Sequence, residues 1–240
     1  KWSPDGETLY FRWGYGNIAS VPFGGGEPRI LNSAEKTGIV ECTPGGGNGL
    51  SPDGKTIVFS AYKEGTRPLE VNIWTMSVNG GDLTQVSKSL AGDRHPCCSP
   101  DGKFIAFNRF EPKSDKEYEM NIFIAPSEGG EARRLTSASD RVAYASIDWS
   151  PDGRYIAYFS RDNTLNLKPV EGGNHRVLAD VENVMGHSNL SWSPDGKELA
   201  FTSAGRLMVV SADGGETREI ETGILKEGVQ DFHVDWSPDG

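Results

Sequence analysis

Short runs of alternating apolar and polar residues recur along the whole chain, and none is long enough to suggest a helix. The clearest are Leu9/Phe11, Ile57/Phe59, Ile105/Phe107, Ile156/Tyr158 and Leu199/Phe201, each pair spaced by two residues. That period puts both members on one face of a β-strand. The residues between or beside them, Tyr10, Val58, Ala106, Ala157 and Ala200, are also mostly apolar. Strands apolar on both faces are covered on both sides, as when one sheet stacks between two others.

Each of these strands follows the tetrapeptide Ser-Pro-Asp-Gly, which begins at Ser3, Ser51, Ser99, Ser150, Ser193 and Ser237. Proline presets φ for the first turn position, aspartate tolerates the second, and glycine supplies the left-handed residue that closes a hairpin. Trp2, Trp149, Trp192 and Trp236 precede the turn, with Leu50 and Cys98 as exceptions. A third strand follows, for example Val71–Trp74 or Met120–Phe123. A second glycine turn (Gly25-Gly26, Gly80-Gly81, Gly129-Gly130, Gly172-Gly173, Gly214-Gly215) then leads to a short fourth strand.

The intervals between tetrapeptides are 48, 48, 51, 43 and 44 residues. Such a period marks a tandem array whose units cannot bury their faces alone. Four antiparallel strands per unit describe the blade of a β-propeller. The fold class is therefore all-β: one propeller domain over residues 1–240, with units about 1–50, 51–98, 99–149, 150–192 and 193–236, and the start of a sixth at 237–240. Five complete units plus one extra strand suit either part of a six-bladed parent, the favoured reading, or a closed five-bladed ring. The chain opens inside a repeat, so a longer natural protein is expected. One segment breaks the grammar: Glu41–Leu50 carries so many glycines that an ordinary strand is not expected there.

Hydrophobic residues make up 36% of the 240 and glycine accounts for 30, as short strands and tight turns require. A net charge of −10 argues against nucleic acid or an anionic membrane surface as a partner. The three cysteines, Cys42, Cys97 and Cys98, form neither a disulfide framework nor a Cys-x-x-Cys motif, and read as small apolar fillers. No apolar run reaches the roughly 18 residues of a membrane span. Phosphate-loop, zincin, EF-hand and nucleophile-elbow motifs are lacking, and the turn aspartates serve turn geometry.

The run Trp149–Gly153 with Ile156-Ala157-Tyr158, and Gly129-Gly130-Glu131 with Arg133-Arg134-Leu135-Thr136, resembles the WD40-like PD40 repeat of TolB-type propellers. The resemblance spans the chain. It implies a bacterial or archaeal origin and a periplasmic or secreted setting. The repeat is also similar to those of tricorn-type and prolyl-oligopeptidase-type peptidase propellers, so it does not select a function.

In a propeller the first strand of each blade lines the central channel. The loops entering it share one face with those joining the second and third strands, and the glycine turns lie on the other. Units two and three carry extra residues on the entry face, at Tyr62–Glu70 and Arg109–Glu119. These two polar loops form a candidate binding rim, with Tyr62, Lys63, Arg67, Arg109, Lys113, Lys116 and Tyr118 as its side chains. Asp93, Arg94, His95, His187 and His233 fall at the channel mouth, where Gly47 and Ser146 stand in units two and four. His95, His187 and His233 are the candidate metal ligands, an arrangement that oligogalacturonate-lyase-type propellers resemble. His175 reads as surface on the opposite face. No cofactor is expected otherwise. The leading expectation is a non-catalytic module binding a protein or peptide. The alternatives are the propeller of a larger serine peptidase, whose catalytic domain lies outside this chain, and a metal-dependent lyase.

Overall fold

The computed structural model of the protein describes all residues except 15–16, 33–36, 45–48, 64, 66–69, 91, 115–116, 183, 185–187 and 222–232. Its strands form five antiparallel sheets taken up in chain order, each a blade of a β-propeller. The first contains β1 (Thr8–Trp13), β2 (Asn17–Pro22) and β3 (Arg29–Ile30). The second contains β4 (Ile39–Pro44), β5 (Thr56–Lys63), β6 (Asn72–Ser77) and β7 (Thr84–Gln85). The third contains β8 (Asp93–Cys98), β9 (Phe104–Pro112), β10 (Tyr118–Pro126) and β11 (Arg133–Arg134). The fourth contains β12 (Val142–Trp149), β13 (Tyr155–Ser160), β14 (Thr164–Pro169) and β15 (Arg176–Asp180). The fifth contains β16 (Leu190–Trp192), β17 (Glu198–Ser203), β18 (Arg206–Ser211) and β19 (Arg218–Glu219). In the first blade the innermost place is held by Lys1–Ser3, through a bridge between Trp2 and Leu9.

The tetrapeptide builds the same turn each time. The glycine N–H donates to the serine carbonyl at 2.8–3.0 Å in all six copies. In the first five, the glycine φ lies between 69° and 75°. Serine and aspartate do more than tolerate the turn. In the third copy Ser99 Oγ donates to Asp101 Oδ1 (2.6 Å) and accepts the Phe104 N–H (3.0 Å), while Asp101 Oδ1 also accepts the Lys103 N–H (3.1 Å). The first, second, fourth and fifth copies repeat this set. These bonds favour the carboxylate, and Asp195, helped first by Lys197 and then by Ser193, is held down at about 2.

Burial follows the sequence pattern. Ile57, Phe59, Ile105, Phe107, Ile156, Tyr158, Leu199 and Phe201 are buried, and so are Val58, Ala106, Ala157 and Ala200 on the opposite faces. The core is a series of layers between adjacent blades. One joins Ile18 and Leu31 to Ile57 and Phe59, the next Val58 and Ile73 to Ile105 and Phe107. A third joins Ala106 and Ile122 to Ile156 and Tyr158, and a fourth Phe159 and Leu165 to Leu199 and Phe201. The small residue on one face of the second strand lets the neighbouring sheet approach the larger residues on its own. Cys97 and Cys98, on the innermost strand β8, are buried free thiols within these layers, and burial pushes Cys98 up to about 12.

Two departures from the sequence reading stand out. Of Glu41–Leu50, expected to be irregular, Glu41–Pro44 belongs to strand β4, which pairs from Ile39–Lys63 to Pro44–Phe59; Leu50 bridges Ile57, and residues 45–48 lie outside the described residues. An innermost strand is bonded on one side only, so a proline without an N–H is tolerated there. The terminal segment, expected as an extra strand, forms none over residues 233–237, and it neither joins nor extends the first sheet. Asp235 Oδ2 accepts the Trp2 N–H (3.2 Å), Asp235 pairs with Lys1 Nζ, and Ser191 Oγ donates to Asp235 Oδ1 (3.2 Å). Residues 233–238 therefore stand between the fifth and first blades, in a place of their own around the axis.

Candidate functional site

The third blade carries the longest strand ladder among the described residues. Its second and third strands have nine residues each, and their ladder runs without interruption from Phe104–Pro126 to Tyr118–Pro112. Much of the expected loop Arg109–Glu119 thus belongs to the two strands of a hairpin, and beyond them the Lys113 N–H donates to the Glu117 carbonyl (2.8 Å). Period-two alternation sorts its side chains. Phe110, Pro112, Tyr118 and Met120 share one face, and Arg109, Glu111, Glu119 and Asn121 share the other.

The polar face satisfies itself. Asn121 donates to Glu111 (2.8 Å), and Arg134 lies 3.4 Å from Glu111. Arg109, expected on the rim, forks onto Asp93 with Nε–Oδ1 at 2.7 Å and Nη2–Oδ2 at 2.9 Å. Asp93 is fully buried, and the Arg109 guanidinium lies over Phe123 at 4.5 Å. The hydrogen bond to Asp93 raises the Arg109 pKa further, against the effect of burial. One rim residue and one channel-mouth residue are therefore a single structural pair within the third blade.

The apolar face carries four rings in contact. His95 meets Tyr144 edge-on at 5.0 Å, Tyr144 meets Phe110 at 5.5 Å, and Phe110 meets Tyr118 edge-on at 6.4 Å. The strip starts on the innermost strand of the third blade, crosses to the innermost strand of the fourth at Tyr144, and runs out along the hairpin. Tyr118 and Tyr144 remain 47% and 40% exposed. His95 is held there by a left-handed backbone (φ 53°), within a break in the β8–β9 register between Arg94 and Cys97. A non-glycine residue in that region carries strain, of the sort that collects at functional sites. Edge-on aromatic contacts of this kind contribute about 0.5–1.5 kcal/mol each.

Of the other expected rim residues, Tyr62 is half-buried at the end of β5, and the Lys63 ammonium sits 4.7 Å above the Trp74 ring. Lys113 is exposed at the hairpin reversal. Arg67, Lys116 and His187 lie outside the described residues. Arg94 is half-buried and His233 exposed. Among the described residues, no three His, Cys, Asp or Glu side chains are grouped closely enough to hold a metal ion. Tyr144 was missed by sequence reasoning. Its only signal is a lone aromatic among small residues in Ala143–Ser146.

Two buried groups lie away from the strip. Ser146, the counterpart of His95 in its unit, joins blades instead: its N–H donates to the Ser188 carbonyl (3.1 Å) and its hydroxyl accepts the Leu190 N–H (2.9 Å). His175, expected as plain surface, bonds through Nδ1 to buried Asp140 at 2.9 Å. Lys168 Nζ contacts both Asp140 oxygens at 2.8 and 2.9 Å. Burial opposes ionisation of Asp140, but the bonds from Lys168, Ser137 and His175 prevail and its pKa is lowered. This cluster pins the Ala138–Asp140 turn to the fourth blade.

Known proteins resemble the chain at several levels. An uncharacterized protein, Atu1656, of Agrobacterium fabrum is 29% identical over 164 residues, covering 65% of this chain and 52% of that protein. A tricorn protease homolog of Streptomyces coelicolor is 30% identical over 106 residues, covering 44% of this chain but 9% of that protein. The chain thus spans about half, or far less, of the curated relatives it matches. The crystal structure of TolB from Acinetobacter baumannii superposes with a TM-score of 0.66 at 21% identity, covering 90% of this chain and 54% of that one. That likeness concerns the fold. The family model described as the TolB beta propeller domain matches residues 1–239, and the chain belongs to that family.

Proposed function

We propose that this propeller is a binding module that recognises a protein or peptide partner through its channel-entry face. The observation that carries the reading is the strip His95–Tyr144–Phe110–Tyr118, a partly exposed aromatic surface built on a rigid ladder. Large aromatic groups on rigid elements supply contact area at low entropic cost and dominate recognition surfaces. The family's setting suggests that recognition takes place in the periplasm or outside the cell. The test is to pan a random-peptide phage library against the wild type and the Y118A/Y144A double variant, with circular dichroism as the folding control. Clones enriched on the wild type should bind the variant about tenfold or more weakly, the loss typical of hot-spot residues. Equal binding to both would dismiss the reading.

A second reading, the propeller of a larger peptidase, is favoured by the Streptomyces match, in which a similar stretch is a small part of a much longer protein. The natural gene product decides it: a peptidase catalytic domain continuous with this chain would make the propeller part of an enzyme and sink the stand-alone module.

A further inference from the structure

The six tetrapeptide turns converge at the end of the axis opposite the aromatic strip, around a cavity of about 290 Å³. The prolines of all six motifs line it, together with Trp2, Trp192 and Trp236. Most polar groups of this wall are already used. Ser3, Ser51, Ser99 and Ser193 give their hydroxyls to their own aspartates, Trp236 Nε1 donates to the Ser191 carbonyl (3.1 Å), and Lys1 is paired with Asp235. Trp192 differs: its Nε1 is buried and, among the described residues, has no hydrogen-bond partner. In the preceding unit Trp149 folds over its own turn and gives the same atom to the Gly153 carbonyl at 3.0 Å, and it does not line the cavity. Trp192 forgoes that bond, and a buried donor left unmade costs about 1–3 kcal/mol. The cost falls on a cavity wall, where a ligand could recover it.

We propose that this cavity binds a neutral phenolic ring, packed against the prolines and Trp192, with its oxygen accepting from Trp192 Nε1. Nε1 is covered by protein here, so binding turns the indole until its N–H meets the oxygen. The volume is ample, since an apolar cavity of about 150 Å³ already takes up benzene. The side-chain charges that line it, Lys1 Nζ and Asp235, are paired with each other, so an ion would lose its hydration without a free side-chain partner.

Titration of isotopically labelled protein with phenol, followed through the indole N–H resonances, tests the proposal. The Trp192 signal should shift saturably with phenol, and benzoate and benzylammonium should bind at least about tenfold more weakly. W192F should bind phenol about tenfold more weakly, the loss of one hydrogen bond, while binding benzene as before. If phenol leaves the Trp192 resonance unmoved, or perturbs the aromatic strip instead, the site does not exist. Assignment by triple-resonance methods makes the wild-type titration sufficient should W192F fail to fold. N-acetyl-tyrosinamide separates the two sources of such a ring: binding of both compounds assigns a tyrosine side chain, and binding of phenol alone a free phenolic molecule.

Discussion

Asp148 is enclosed by the innermost strands of the fourth and fifth blades, with 1% of its surface exposed. Its carboxylate accepts the Trp149 N–H at 3.0 Å and the Trp192 N–H at 2.9 Å. Burial outweighs these bonds and the Lys1 charge, and raises its pKa to about 6. A carboxyl group raised in the folded state favours folding when protonated, so its contribution is full below about pH 4 and is lost as pH rises through about 6. Asp148→Asn should therefore lose stability less steeply than the wild type between pH 4.5 and 7, by up to roughly 2 kcal/mol across the window. Urea denaturation at several pH values reads the difference in slope, and parallel curves would contradict it. Legibility was uneven among residues. The turn chemistry of Ser-Pro-Asp-Gly could be read directly, because local bonds form it. The pairing of Arg109 with Asp93, the bonding of His175 to Asp140 and the placement of Tyr144 depend on which strands lie opposite, which no local pattern states.

Among the elements, the second glycine turn shows how one blade rests on the next. Gly80 and Gly25 have almost the same left-handed φ, 83° and 86°. A Cβ on Gly80 would stand 2.4 Å from the Leu31 carbonyl oxygen of the first blade, whereas one on Gly25 meets nothing within 4 Å among the described residues. Gly25→Ala should cost about 1–2 kcal/mol, the left-handed penalty alone. Gly80→Ala should cost about 1–3 kcal/mol more, because backbone must move. Denaturation midpoints of the two variants should separate accordingly, and equal losses would mean that the blades yield freely. Strand order and turn positions were legible because periodicity and turn residues are local. Strand extent was not. β4 forms despite Pro44 because its ladder is one-sided, and the third-blade hairpin extends through Glu111 and Glu119, which stand opposite each other and are bridged by Arg134, with Asn121 donating to Glu111.

For the whole molecule, the arrangement of the terminal segment matters most. Asp235 accepts the Trp2 N–H much as Asp148 accepts that of Trp192, so the step from the sixth motif to the first repeats the step from the fourth blade to the fifth. The motifs themselves touch in series: Gly54 faces Pro4, Gly102 faces Pro52, Gly196 faces Pro151 and Gly6 faces Pro238, with Cβ distances of 3.0–3.8 Å. The six-fold count of motifs was plain in the sequence, but whether the last strand would double the first blade's edge or stand alone was not, since either satisfies the repeat. Asp235→Ala removes acceptors for three donors and should cost about 1–3 kcal/mol. Hydrogen exchange should quicken around Trp2–Tyr10 and Ser191 while the second to fourth blades keep their protection, and uniform change would argue against a local seam. The seam also fixes how the molecule would carry a load. Tension applied through residues 1 and 240 arrives first at the Lys1–Trp2–Asp235 contact, which parts as a latch before the layered cores between the blades are strained.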